Sequence, residues 1–119
     1  MTKFICYPKC TTCIKARKWL DDNGLEYEIR DIKLDKPSYG ELAEWYGRGA
    51  LPLKKFFNTS GLLYKSLDLK NKLPLMKDEE MLMLLASDGM LVKRPILVGD
   101  DFLLVGFKAE EYEKALKNK

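Results

Sequence analysis

The sequence has no histidine, only three cysteines, and no apolar run longer than "MLMLLA". Each shortage excludes a class of protein. A structural zinc site needs four Cys or His ligands, so three cysteines without histidine leave it one short. A membrane helix needs ~20 apolar residues, far more than "MLMLLA" or "FLLV" supplies. The opening "MTKFICYPKC" has a lysine and polar residues where a secretory leader carries its apolar stretch, so export is not expected. There is no internal repeat and no low-complexity segment.

Charge of one sign is lacking as well. Twenty-one Lys and Arg stand among eighteen Asp and Glu, a net charge of +3. Phosphate-backbone binding needs basic residues clustered on one face, so no direct nucleic-acid binding is expected. An odd number of cysteines argues against a closed disulfide framework. Reduced thiols point to a cytoplasmic location, where a disulfide would be transient and functional.

What is present is the composition of a soluble globular chain: 119 residues, 46% hydrophobic and 33% charged, read as one domain over residues 1–119. "KFICY" reads as a first strand ahead of a Pro-Lys turn. From Thr11 to Asn23 the apolar period becomes helical, with Cys13, Ala16 and Leu20 on one face, and Gly24 supplies a left-handed stop. "LEYEIRDI" alternates Leu25, Tyr27 and Ile29 against charged residues and reads as a second strand with one wet face.

A short helix is expected over "YGELAEWYG", then short helices between Leu51 and Leu75. "KDEEMLMLLASDG" predicts a helix with Asp78 as cap and Gly89 as terminator. "RPILVGDDFLLVGF" reads as a hairpin turning through Gly99, Asp100 and Asp101. "KAEEYEKALKNK" predicts a last amphipathic helix on Ala109, Tyr112 and Leu116. Two strands joined by a crossover helix should be parallel, and the hairpin adds an antiparallel pair. The expectation is a mixed four-stranded α/β sheet with a helical insertion at about 38–89.

The chemistry sits in "CYPKCTTC". Its Cys-x-x-x-Cys-x-x-Cys spacing matches that of radical enzymes with an iron–sulfur cluster, but their barrel-type folds take about 200 residues or more. Cys6 falls inside the first strand and is read as core, because free cysteine is among the most buried residue types. Cys10 and Cys13 stand where a strand gives way to a helix. With Cys10 at the N-cap, first-turn amides favour its thiolate, an effect of ~0.3–1 kcal/mol and up to ~2 in protected geometry. At about 1.4 kcal/mol per pKa unit, that lowers a thiol by roughly one unit. Lys9 and a second cation would push it further. Cys13, one helical turn on, lies on the same face and within disulfide reach, so it can resolve an intermediate on Cys10. Two cysteines merely packed at a helix start are the plainer alternative.

"YPKCTTCIKARKWL", "FFNTSG", "LASDGMLVKRPIL" and "VGF" together resemble the glutaredoxin-coupled arsenate reductase family and its Spx relatives, in order along nearly the whole chain. The resemblance implies a thioredoxin-like fold. It implies Cys10 as the thiolate that attacks arsenate, Arg94 as the holder of the oxyanion, and a cis bond at Pro95. Thr11, Thr12 and Pro95 are expected to line the substrate site. Of the arginine triad typical of such enzymes only Arg94 has a counterpart; Asn58 stands near the second position, and Val105 and Lys108 near the third.

Those enzymes typically carry serine where this chain has Cys13, and take the resolving thiol from glutathione or glutaredoxin. Spx-type regulators carry Cys-x-x-Cys as a disulfide switch and bind RNA polymerase. The resemblance therefore implies a thiol–disulfide oxidoreductase acting on an oxyanion or disulfide. It implies no bound cofactor, with glutathione, glutaredoxin or thioredoxin as outside reductant, or alternatively a polymerase-binding switch.

Overall fold

The computed structural model describes residues 2–117. The last two positions of the expected final helix, 118 and 119, lie outside the described residues. Two compact units make up the chain, Met1–Asp31 with Arg94–Lys119, and Ile32–Lys93.

The first unit holds the sheet. Strand β1 (Lys3–Cys6) leads into helix α1 (Thr11–Asp22) and then strand β2 (Glu28–Asp31); β3 (Ile96–Val98) and β4 (Leu103–Val105) form the hairpin, and α6 (Ala109–Leu116) closes the unit. The strand order is β2-β1-β3-β4. The β1–β2 pair is parallel, with Phe4 beside Ile29, while β3 runs antiparallel to both β1 and β4. This is the mixed sheet that the alternating and helical periods predict.

Helix α1 buries Cys13, Ala16 and Leu20. They join Phe4, Cys6, Leu97 and Tyr112 in one core cluster, so the helix that carries two of the thiols is fixed to the sheet by its apolar face. Gly24, at φ +65°, ends the helix in the left-handed region as expected, and its N–H donates back to the Asp21 carbonyl.

The second strand is shorter than its pattern suggests, Glu28–Asp31 rather than residues 25–32. Leu25 and Tyr27 still pack against the core. Ile29, expected on the same dry face, is 48% exposed. Its strand is at the sheet edge, where one flank has no neighbour to cover it.

The second unit is helical: α2 (Tyr39–Gly47), α3 (Leu62–Ser66), α4 (Leu69–Lys72) and α5 (Asp78–Ser87), with 3-10 turns at Leu53–Phe56, Leu73–Leu75 and Gly89–Leu91. Ser38 caps α2 by accepting from the Glu41 N–H, while the Glu41 carboxylate accepts from the Ser38 N–H. Two expectations are corrected here. The cap of α5 is Lys77 rather than Asp78. The Glu80 carboxylate accepts the Lys77 N–H, and Asp78 stands in the first turn, accepting from the Tyr46 hydroxyl. Gly89 does not terminate α5 by a left-handed turn, since the helix ends at Ser87 and Asp88 is extended. A glycine is required at 89 because a Cβ there would collide with the Ile32 carbonyl.

Candidate active site

The five residues from Tyr7 to Thr11 carry the chain from the end of β1 into α1, and Cys10 is the N-cap of that helix. Its N–H donates to the Tyr7 carbonyl at 2.9 Å, closing the turn. Its carbonyl accepts the first intrahelical bond, from the Ile14 N–H at 3.0 Å. The Cys10 side chain makes no cap hydrogen bond of regular geometry. Cys10 as a residue is half-buried.

Electrostatics separates the three thiols. Burial would raise the Cys10 pKa, but it is outweighed by the backbone N–H and the thiol of Cys13, the N–H of Thr12 and the guanidinium of Arg94, so the thiol is held below its ordinary value. Cys13 is pushed up to about 12, first by burial, with the Tyr7 N–H pulling the other way and the hydrogen bond and charge of Cys10 adding to the rise. Burial also raises the third thiol, Cys6, with Arg17 partly opposing it. One thiol is thus the most acidic of the three and its neighbour is kept protonated.

Cys13 is almost fully buried at 3% exposure, and the Tyr7 N–H donates to its sulfur at 3.4 Å. Arg94, at the end of the segment that leads into β3, is half-buried, with its guanidinium carbon 5.2 Å from the centre of the Tyr7 ring. The Arg94–Pro95 bond is cis. Pro95 is buried, and its carbonyl accepts from the Gly106 N–H at 2.8 Å. Thr11 and Thr12 are exposed on the first turn of α1. Of the expected residues, then, Cys13, Thr12 and Arg94 act on the Cys10 sulfur.

Lys9 is exposed and is not among the principal influences on the Cys10 thiol; the cation that acts there is Arg94. Cys6 lies in the core cluster at 4% exposure. Among the described residues no group of three Cys, Asp or Glu is arranged to hold a metal ion.

Two contributors escape a reading of the sequence. Tyr7 both stacks on Arg94 and donates to Cys13, and the only hint is an aromatic beside the first cysteine. Arg17 shares a small cavity of about 80 Å³ with Cys6, Cys13, Ile14 and Ile29, although helical spacing alone makes it a solvated charge. A larger cavity of about 510 Å³ lies within the helical unit, between Tyr46, Leu53, Tyr64 and Met81, and none of the thiols lines it.

A family model, that of the ArsC family, matches residues 6–115. The chain belongs to the ArsC family. Among its relatives, the protein YusI of Bacillus subtilis is 50% identical over 111 residues, covering 93% of this chain and 94% of YusI. The regulatory protein MgsR of the same organism is 30% identical over 116 residues, covering 98% and 90%. A putative ArsC family related protein from Bacteroides fragilis superposes with a TM-score of 0.93 at 55% identity, over 95% of each chain. A possible arsenate reductase from Streptococcus mutans gives 0.85 at 45% identity, over 91% and 92%. The fold is thioredoxin-like, with the helical unit inserted between β2 and β3.

Proposed function

We propose that the chain is a thiol–disulfide oxidoreductase of the arsenate reductase kind. What carries the reading is one observation. Cys10 is half-buried, first-turn amides and Arg94 hold its thiol below the ordinary pKa, and the protonated Cys13 is hydrogen-bonded to it.

Two substrates fit a thiolate of this kind. With arsenate, the Cys10 thiolate bonds to arsenic and a hydroxide leaves, taking up a proton as water. Arg94 offers a planar, forked donor set to the remaining oxygens, with Thr11, Thr12 and Pro95 around it. Cys13 then attacks the Cys10 sulfur; the sulfur–sulfur bond forms, the sulfur–arsenic bond breaks, and its electron pair stays on arsenic, which leaves reduced by two electrons. With a disulfide, Cys10 attacks one sulfur and Cys13 resolves the mixed disulfide, releasing the second half as a thiol. Either cycle ends at a Cys10–Cys13 disulfide, which glutathione, glutaredoxin or thioredoxin returns to dithiol in a reducing cytoplasm.

Similarity to the regulatory protein MgsR and to the global transcriptional regulator Spx favours a second reading, a regulator; in it we take the same disulfide as a switch and RNA polymerase as the partner. Arsenate-dependent consumption of reductant that disappears in Cys10→Ser supports the enzyme. Absence of turnover together with polymerase capture that changes on oxidation supports the switch.

A further inference from the structure

Tyr112, on α6, has no exposed surface, and among the described residues no group partners its hydroxyl. A buried hydroxyl without a partner destabilises the fold in a way that phenylalanine would not, and such exceptions call for a role. The ring is held on two sides, edge-on to Trp19 at 5.6 Å and to Phe107 at 4.8 Å between centroids. It stands in the same buried cluster as Cys13, and charge on that thiol raises the pKa of the phenol. The charged and titratable groups around Cys13 are Cys6 from β1, Tyr7 and Cys10 from the turn, Arg17 from α1, and Tyr112 from α6 with Glu111 beside it.

In the resting protein Cys13 is a free, protonated thiol, hydrogen-bonded to the Cys10 sulfur and in receipt of one amide hydrogen from Tyr7. Once Cys10 carries a substrate, the Cys13 thiol must ionise inside an apolar cluster in order to attack. We infer that the Tyr112 hydroxyl donates a hydrogen bond to the Cys13 sulfur during that attack, idle at rest and engaged as the thiolate forms. The inference rests on the redox reading above and deepens it. The proton of Cys13 passes to water, its sulfur pair attacks the Cys10 sulfur, and the bond from Cys10 to its adduct breaks with the pair leaving on the adduct. Tyr112 keeps its own proton throughout, because burial holds its pKa well above the ordinary phenol value. A donor that pairs only when charge develops favours the transition state over the ground state.

The test uses 5,5′-dithiobis(2-nitrobenzoate) on the full chain. Attack by Cys10 releases one thionitrobenzoate and leaves the other on its sulfur; attack by Cys13 releases the second and closes the disulfide. Cys13→Ser fixes the amplitude of the first release, and peptide mapping checks that the second accompanies a Cys10–Cys13 bond rather than a reaction at Cys6. In Tyr112→Phe the first release should be unchanged. The second should slow about tenfold, its pH midpoint should rise by about one unit, and the melting temperature should not fall. A second release equal to that of the parent at every pH overturns the inference. Slowing of both releases together also overturns it, since a loosened fold then accounts for the loss. If the parent itself releases only one equivalent, as Cys13→Ser does, the redox reading fails and the inference falls with it.

Discussion

The backbone N–H of Tyr7 donates to the sulfur of Cys13 at 3.4 Å. This ties the turn that presents Cys10 to the thiol buried beneath it. The same tyrosine lies against the Arg94 guanidinium, 5.2 Å from ring centre to Cζ. One residue therefore positions two of the groups that set the reactivity of Cys10.

Removing the guanidinium should make Cys10 less acidic. In Arg94→Ala the pH midpoint for iodoacetamide alkylation of Cys10 is expected to rise, with the rate near neutral pH falling several-fold. Arg94→Lys should recover only part of it, because a point charge does not replace a planar fork. Equal rates in the parent and both variants would remove Arg94 from the site.

Cys13 gives stability a definite pH dependence. Its folded pKa, about 12, lies above the ordinary 9.0 of an unfolded thiol. Below the unfolded value both states hold the proton and the contribution is fully present. As pH rises from there through the folded value, the unfolded chain ionises first and the contribution is lost. Urea midpoints taken from about pH 8 to about pH 11 should fall, and fall less steeply in Cys13→Ala. Parallel curves would contradict the burial of this thiol.

Gly89→Ala should destabilise the helical unit by about 2–3 kcal/mol or more, since its Cβ would meet a backbone carbonyl that cannot swing aside. Gly49→Ala is the comparison: its φ is +77° but the space around it is open, so the cost is about 1–2 kcal/mol of backbone strain. Denaturant unfolding of the two variants orders these effects. The reverse order would mean that residue 89 can move away from Ile32.

Periodicity carried much of the architecture. Cys13, Ala16 and Leu20 fall on the buried face of α1 because a helix repeats every 3.6 residues, and the turn at Gly99 joins β3 and β4 through Asp100 and Asp101. What local pattern cannot carry is long-range steric fit and edge position. Ile29 alternates correctly yet stays half exposed on the edge strand, and Gly89 looks like a helix stop but is small because Ile32 lies against it.

The site divides the same way. Cys10 and Cys13 stood out by their spacing at a strand–helix junction, and Arg94 only through the resemblance to the arsenate reductase family. Tyr7 and Tyr112 were not, because their roles depend on contacts made after folding: a backbone amide aimed at a sulfur, and a phenol enclosed with a thiol.

Mass spectrometry of tryptic peptides after brief exposure to dilute peroxide is the most direct measurement. The expected product is a Cys10–Cys13 disulfide, lighter by two hydrogens, with Cys6 still free to alkylate in the denatured protein. Recovery of Cys10 and Cys13 as free thiols, under conditions that oxidise an ordinary exposed dithiol, would contradict the pairing on which the proposed chemistry depends.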